Sequence, residues 1–275
     1  MPELPETETI ARDLDRALSG ATIVGVEVLR ADVLRLATAA SLSRRVTGAR
    51  IHQSYRRAKA VVVALDTGDR LVVQPRFTGA LLIDDGSLPP ESMLYIAVSF
   101  RLDDGRTLAY RDIRRLGTLA LMSQRQYEKF DAALGPEPLD PAFTAQHLSG
   151  ILRDSRQAVK KLLMDQRRIA GVGNIYANEA LWRAGIDPSR SARSIDDEGA
   201  TALHRGIIGV LREAIEARGT SFRDYRDASG ARGGFSAKLA VYGRGGLPCP
   251  ACGATLINTN AIDSRTTVFC ARCQR

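Results

Sequence analysis

No cysteine occurs before position 249 in this chain of 275 residues. Disulfides therefore cannot brace its bulk, and a chain of this length buries about three-quarters of its unfolded surface without them. Histidine is scarce too, with only His52, His147 and His204. Long apolar runs are missing: none, Ala60 to Leu65 included, exceeds six residues. A membrane-crossing helix needs about 20, so none is expected. The opening Met1-Pro2-Glu3-Leu4-Pro5-Glu6 has neither the basic start nor the apolar core of a secretory signal, which points to the cytoplasm. A hydrophobic content of 44% excludes global disorder. At about 150 residues per domain, the length suggests about two domains.

Periodicity divides what is present into two halves. Ile10, Leu14 and Leu18 fall at i, i+4 and i+8 and predict a helix over 6–18, stopped by Gly20. Short β-rich runs follow at 23–29, 60–65, 71–73, 81–83, 95–102, 107–110 and 118–122. Glycine, aspartate and proline punctuate them, and Val24, Val26 and Val28 alternate as a half-buried strand does. With no helices between them, these strands should pair mostly antiparallel, as a sandwich or barrel. Pro136, Pro138 and Pro141 mark a linker. Beyond it the pattern is helical, over 144–148, 155–166, 174–184 and 196–217. A glycine-containing loop over 219–235 and a cysteine-bearing hairpin complete the chain.

Cys249, Cys252, Cys270 and Cys273 form two Cys-x2-Cys knuckles separated by seventeen residues. Such knuckles set four thiolates tetrahedrally around Zn²⁺. With every position filled by sulfur no water site remains, so one structural zinc is expected. An iron–sulfur site and idle thiols are the other readings of this spacing. Between the knuckles, Arg265 lies just ahead of a predicted strand over 266–269, where it either reaches a phosphate or is an ordinary exposed arginine. Charge is skewed toward the same region. Lysine plus arginine number 39 against 31 acids, a net +8, and +6 of it falls within 218–275. A basic tail with paired cysteines suggests a polyanion partner, most simply nucleic acid; a solvated basic surface is the plainer reading.

Two further stretches can carry chemistry. Removal of Met1 would expose the secondary amine of Pro2. An α-amino group titrates near pH 8, so a useful fraction is unprotonated at neutrality. Such an amine can attack an aldehyde-like carbon and form an iminium, an electron sink like a lysine Schiff base. Glu3 and Glu6 could move protons beside it, or could simply be acids favoured at a helix start. The second stretch runs from Met164 to Glu179 and joins two helical runs. Gly171 and Gly173 permit close backbone approach, and Asn174 opens a helix whose free N–H groups suit a phosphate. Plain helix packing explains the glycines equally well.

These stretches occur together in one family. The chain resembles bacterial formamidopyrimidine-DNA glycosylases in Pro2-Glu-Leu-Pro-Glu-Thr-Glu-Thr, Arg56-Arg-Ala-Lys59 and Leu134-Gly-Pro-Glu-Pro-Leu139. The resemblance continues in Gly171-Val-Gly-Asn-Ile-Tyr-Ala177, Val241-Tyr-Gly-Arg-Gly245 and the cysteine quartet, in order along the whole chain. It implies an α+β protein: an N-terminal antiparallel β-sandwich with flanking helices (1–133), a linker (134–140), a helix–two-turn–helix domain with a lesion-capping loop (141–235) and a zinc-finger hairpin (236–275). It also implies a monomeric, cytoplasmic, nucleoid-associated enzyme. Such an enzyme excises oxidised purines from double-stranded DNA and then cuts the strand by β,δ-elimination.

Carried over position by position, the resemblance makes Pro2 the Schiff-base nucleophile, Glu3 the proton donor and acceptor at the sugar, and Glu6 its support. Lys59 matches the lysine assigned to β-elimination, and Arg265 the finger arginine assigned to δ-elimination. Arg115, Arg156 and Asn174 match phosphate contacts. Phe77, Arg114 and Leu116 match the three residues that fill the gap left by a flipped nucleotide. Here the chain departs from the family, which usually has methionine, arginine and phenylalanine. It also lacks a histidine usual near the strand over 95–100, aligned with Ala97. The loop over 221–235 and Leu4 place it in the purine-lesion branch rather than with the endonuclease VIII relatives. A glycosylase for oxidised pyrimidines and a non-catalytic zinc-finger damage sensor are the competing readings. The sensor would not need Pro2, Glu3 and Lys59 together.

Overall fold

The computed structural model describes residues 2–222 and 224–275. They form two compact units. The first runs to Ala132 and includes Ala217–Ser236; the second comprises Ala133–Glu216 and Ala237–Arg275.

In the first unit, α1 (Leu4–Leu18) turns Ile10, Leu14 and Leu18 into the core, all fully buried. Burial of each such side chain is worth about 1.5–3 kcal/mol. The strands are β1 (Ile23–Val28), β2 (Leu34–Arg35), β3 (Ile51–Arg57), β4 (Ala60–Leu65), β5 (Arg70–Gln74), β6 (Gly79–Asp84), β7 (Ile96–Leu102), β8 (Thr107–Asp112) and β9 (Thr118–Met122). They make two sheets, ordered β1-β7-β8-β6 and β2-β9-β5-β4-β3. All pairs are antiparallel except the short β2–β9 contact. The sandwich core lies between them, with Val61, Val63, Val73 and Leu121 meeting Leu81, Phe100 and Tyr110. β4 reads as an unbroken apolar run because it is covered on both faces. Val61 and Val63 enter the sandwich core. Ala60 and Val62 pack with Tyr127 and Phe130 of α3 (Gln124–Ala132).

The second unit is helical. α7 (Asp197–Glu216) packs against α4 (Ala145–Arg153) and α6 (Asn174–Ala184), and α6 against α5 (Val159–Met164). A hairpin of β10 (Ile257–Thr259) and β11 (Thr267–Phe269) follows. Trp182 of α6 packs against its Leu256, Val268 and Cys270. Among the described residues no helix is long and apolar enough to cross a membrane.

Several elements differ from the sequence expectation. α1 begins at Leu4 rather than 6, because Pro5 has the fixed φ suited to a first helical turn. The helix expected over 155–166 is confined to α5: Ser155 Oγ accepts the Gln157 N–H, and Ala158 is extended and bridges to Ser191. β3, α3 and the helix Ala39–Val46 (α2) carry no strong apolar period and were not anticipated. The 134–140 stretch is not a free linker. Gly135 N–H donates to Gln166, and the Pro136 carbonyl accepts from Ala170, tying it to the second unit. The loop expected within the helical domain instead belongs to the first unit. Arg218 pairs there with Asp13, and the Ala228 carbonyl accepts the Ile83 N–H.

Candidate active site

The start of α1 is built by its own acids. Glu3 caps the helix, and its N–H donates to Glu6 Oε2 at 2.8 Å, the return half of a capping box. Pro2, Glu3 and Glu6 are all buried. β3 then runs back along the helix. Ser54 N–H donates to Asp15 at 2.8 Å, and Arg56 Nε to Glu8 at 2.9 Å. The chain therefore reaches its two-residue turn, Ala58-Lys59, at the same end of α1 as Pro2 and Glu3. That turn is framed by Arg56–Glu8 and Arg57–Asp131 pairs. Ala58 adopts the left-handed φ of 52° that L-residues avoid. Burial disfavours the Glu8 carboxylate, but Arg56 and Arg12 outweigh it and hold its carboxyl below the usual range.

Sheet register brings two more turns to this end. Arg57 faces Ala60, Val61 faces Val73, and Gln74 faces Thr118. The turns after β3, after β5 and before β9 therefore emerge side by side. They span about 14 Å at the usual strand spacing. The second turn presents Phe77, 47% exposed, and the third Leu116, 40% exposed. The Arg114 guanidinium lies 5.4 Å from the Phe77 ring centre. Arg115 is paired on the surface with Asp32 at 3.0 Å. Such an exposed pair contributes about 0–1 kcal/mol and yields readily to a phosphate. Ala97, aligned with the family's histidine, is fully buried, so nothing there faces a ligand.

Glu6 also reaches the loop that returns to this unit. Its Oε1 accepts the Thr220 N–H at 2.7 Å. A Cβ on Gly219 (φ 84°) would sit 2.9 Å from Glu6 Cγ, so the approach requires glycine. Tyr225 donates to the Glu6 carbonyl at 3.4 Å. Burial and the Glu6 carboxylate push its hydroxyl well above the phenol range, keeping it a donor. Burial opposes ionisation of Asp227, yet bonds from Ser229 and Arg218 hold its carboxyl below the usual range.

Arg156, Asn174, Arg265 and the cysteines lie on the second unit. The four Sγ atoms fall within 4.8 Å of one another, with Cys249–Cys273 at 3.9 Å and Cys252–Cys270 at 3.5 Å. Zn–S bonds of about 2.3 Å in a tetrahedron give sulfur–sulfur edges of about 3.8 Å. The quartet fits one structural zinc. The hairpin is braced from α6 and α5. Asn174 Nδ2 donates to the Thr266 carbonyl at 3.0 Å, and Asn178 Oδ1 accepts from Val268 at 2.7 Å. Lys160, fully buried, donates to Thr267 Oγ1 at 2.8 Å and pairs with Asp263 at 3.3 Å. Arg265 N–H donates to the same Asp263, and the Arg265 side chain is exposed beyond it. Asn174 thus holds Thr266, the chain neighbour of Arg265. Arg156 is exposed just ahead of α5, its carbonyl accepting from Ser191.

Sequence reasoning missed three buried polar groups that hold local structure: Asp112 in the first unit, and Lys160 and Glu179 in the second. Glu179 accepts the N–H groups of Ala240, Val241 and Tyr242 at 2.8–2.9 Å. Being the one acid in α6 was its only signal.

Family models match three blocks of the chain. They are the formamidopyrimidine-DNA glycosylase N-terminal domain at 1–119, the H2TH domain of the same glycosylases at 134–226, and the zinc finger found in FPG and IleRS at 246–275. Formamidopyrimidine-DNA glycosylases of Heliobacterium modesticaldum and Roseiflexus sp. are 44% and 42% identical, each alignment covering 100% of both chains. Among solved structures, MutM (Fpg) of Thermus thermophilus is 39% identical with a TM-score of 0.87, over 99% of this chain and 98% of that one. Lactococcus lactis Fpg bound to DNA containing N7-benzyl-Fapy-dG is 31% identical with a TM-score of 0.90, over 100% of both. The chain belongs to the formamidopyrimidine-DNA glycosylase family, the zinc-finger DNA glycosylase/AP lyases of DNA repair.

Proposed function

We propose that the chain excises oxidised purines, 8-oxoguanine and formamidopyrimidines, from duplex DNA and then cuts the strand through a Schiff base on Pro2. The observation that carries this reading is the shared sheet end: the Pro2-Glu3 start of α1, the Lys59 turn and the Phe77 and Leu116 turns all open there. Extrusion of the damaged nucleotide comes first, since C1′ is shielded inside a stacked duplex. Phe77, Arg114 and Leu116 fill the gap. Lys59, Arg115, Arg156, Asn174 and Arg265 grip phosphates, and the protein works as a monomer at the nucleoid.

With Met1 removed, the Pro2 nitrogen attacks C1′. The glycosidic bond breaks, its electron pair leaves on the base, and the proton shed by the Pro2 nitrogen is balanced by the one the base takes up. The C1′–O4′ bond then opens as Glu3 delivers a proton to O4′, leaving an iminium between Pro2 and C1′. The iminium draws electrons from the C2′–H bond. Loss of that proton expels the 3′ phosphate, and a second elimination expels the 5′ phosphate. Lys59 serves the first elimination and Arg265 the second. Glu6 reacts with nothing; its two oxygens hold the backbone at Glu3 and Thr220.

Structures of the Lactococcus lactis relative contain Fapy-dG DNA, which supports a purine substrate. Another contains an oxidised pyrimidine, which favours pyrimidine excision as the second reading. Duplexes with 8-oxoguanine or 5-hydroxycytosine opposite each of the four bases separate the two. Faster release of 8-oxoguanine is expected. Faster release of 5-hydroxycytosine opposite every base would overturn the purine assignment.

A further inference from the structure

Asp112 is a buried carboxylate, 1% exposed, that the chemistry above does not use. Its Oδ1 accepts the Thr78 hydroxyl at 2.5 Å, and its Oδ2 accepts the Gly117 N–H at 2.7 Å and the Tyr110 hydroxyl at 3.3 Å. Thr78 Oγ1 in turn accepts the Arg114 N–H at 3.0 Å. The Asp112 N–H donates to the Tyr95 carbonyl at 3.1 Å. One side chain therefore joins the turn that carries Phe77 to the turn that carries Arg114 and Leu116, and its backbone adds the turn before β7. Each of these turns contains a non-glycine residue in the left-handed region: Arg76 at 50°, Arg115 at 51° and Tyr95 at 65°. L-residues hold that conformation only where their surroundings impose it. The fit is tight: a Cβ on Gly117 would lie 2.2 Å from the Tyr110 hydroxyl and 3.0 Å from Asp112 Oδ2.

We propose that Asp112, through Thr78, is a positioning residue that locks the Phe77 turn and the Arg114–Leu116 turn into one rigid insertion device, so that the two enter the duplex together. This rests on the reading of Phe77, Arg114 and Leu116 as the gap-filling side chains. Insertion must replace lost stacking while the base is held out of the helix. Two independently mobile turns would lose that replacement in proportion to their misalignment, whereas a shared carboxylate removes their relative motion. The device acts before bond breaking and leaves the Pro2 chemistry alone.

The test compares single-turnover base excision from an 8-oxoguanine duplex with cutting of a duplex holding a preformed abasic site. Thr78→Val removes the bridging hydroxyl at nearly constant shape, and Thr78→Ser keeps it. Small misplacements of positioning groups cost up to about 100-fold, so Thr78→Val should slow excision by at least about tenfold. Cutting of the abasic duplex, whose nucleotide is easily extruded, should fall by no more than about threefold. Thr78→Ser should restore excision, and Phe77→Ala should cost less in the Thr78→Val background than alone. Asp112→Asn should behave like Thr78→Val; if it fails to fold, Thr78→Val still decides. Wild-type excision by Thr78→Val, or equal loss on both substrates, overturns the proposal. Unchanged excision by both Phe77→Ala and Leu116→Ala would instead overturn the gap-filling reading itself.

Discussion

Glu6 has no exposed surface, and its two carboxylate oxygens accept from backbone N–H groups 3 and 214 residues away. Glu6→Gln sets an amide NH₂ against one of those N–H groups, leaving a buried donor unsatisfied. It should destabilise the first unit by about 1–3 kcal/mol in denaturant titrations and slow Schiff-base formation. On the second unit, Arg265 sits on a tip braced by Lys160 and Asp263. Arg265→Ala should reduce the salt dependence of DNA binding by about one unit of log–log slope and impair strand cutting. An unchanged slope would return Arg265 to an ordinary surface arginine. Groupings written in adjacent sequence were legible as groupings: Pro2-Glu3 at the start of α1, Arg56 to Lys59 at one turn, and the cysteines in pairs. Asp112, Glu179 and Lys160 were not, because each ties the chain to a partner distant in sequence, as far as 34, 63 and 107 residues away. A lone acid or lysine gives no local sign of what it will hold.

At the scale of elements, legibility followed apolar pattern. β4 was visible because both its faces are buried, and α6 was bounded at 174–184 by Gly173 and the left-handed Gly185. β3 was missed because His52 and Gln53 are exposed and Arg56 and Arg57 are spent on ion pairs, leaving only Ile51 and Ser54 buried. α2 buries only Leu42 and Val46 fully, and its Thr38–Ser41 cap was its sole signal. The zinc hairpin has two three-residue strands, too few to hold themselves together. Its folding should follow the metal. Metal analysis should give one zinc per chain. Chelation or Cys249→Ser should abolish most DNA binding while the first unit's melting transition stays in place. Full binding after verified zinc loss contradicts a structural role for the metal.

At the scale of the whole molecule, +6 of the +8 net charge falls within residues 218–275. Affinity for undamaged duplex should therefore fall steeply with salt, with a log–log slope near −0.9 for each phosphate neutralised. A flat salt response would show that the basic surface does not face DNA. The fold class was readable as strands followed by helices. The return of Ala217–Ser236 to the first unit was not, since it depends on Thr220 meeting Glu6 and Arg218 meeting Asp13. The proposed chemistry turns on the N-terminal amine. Borohydride reduction of the enzyme on abasic-site DNA tests it most directly. Protein with a free Pro2 should form a reduced covalent crosslink that peptide mapping assigns to Pro2, while protein that keeps Met1 or an N-terminal tag should form almost none. Equal crosslinking by the blocked protein, or a crosslink mapped to Lys59, would contradict a Schiff base on Pro2.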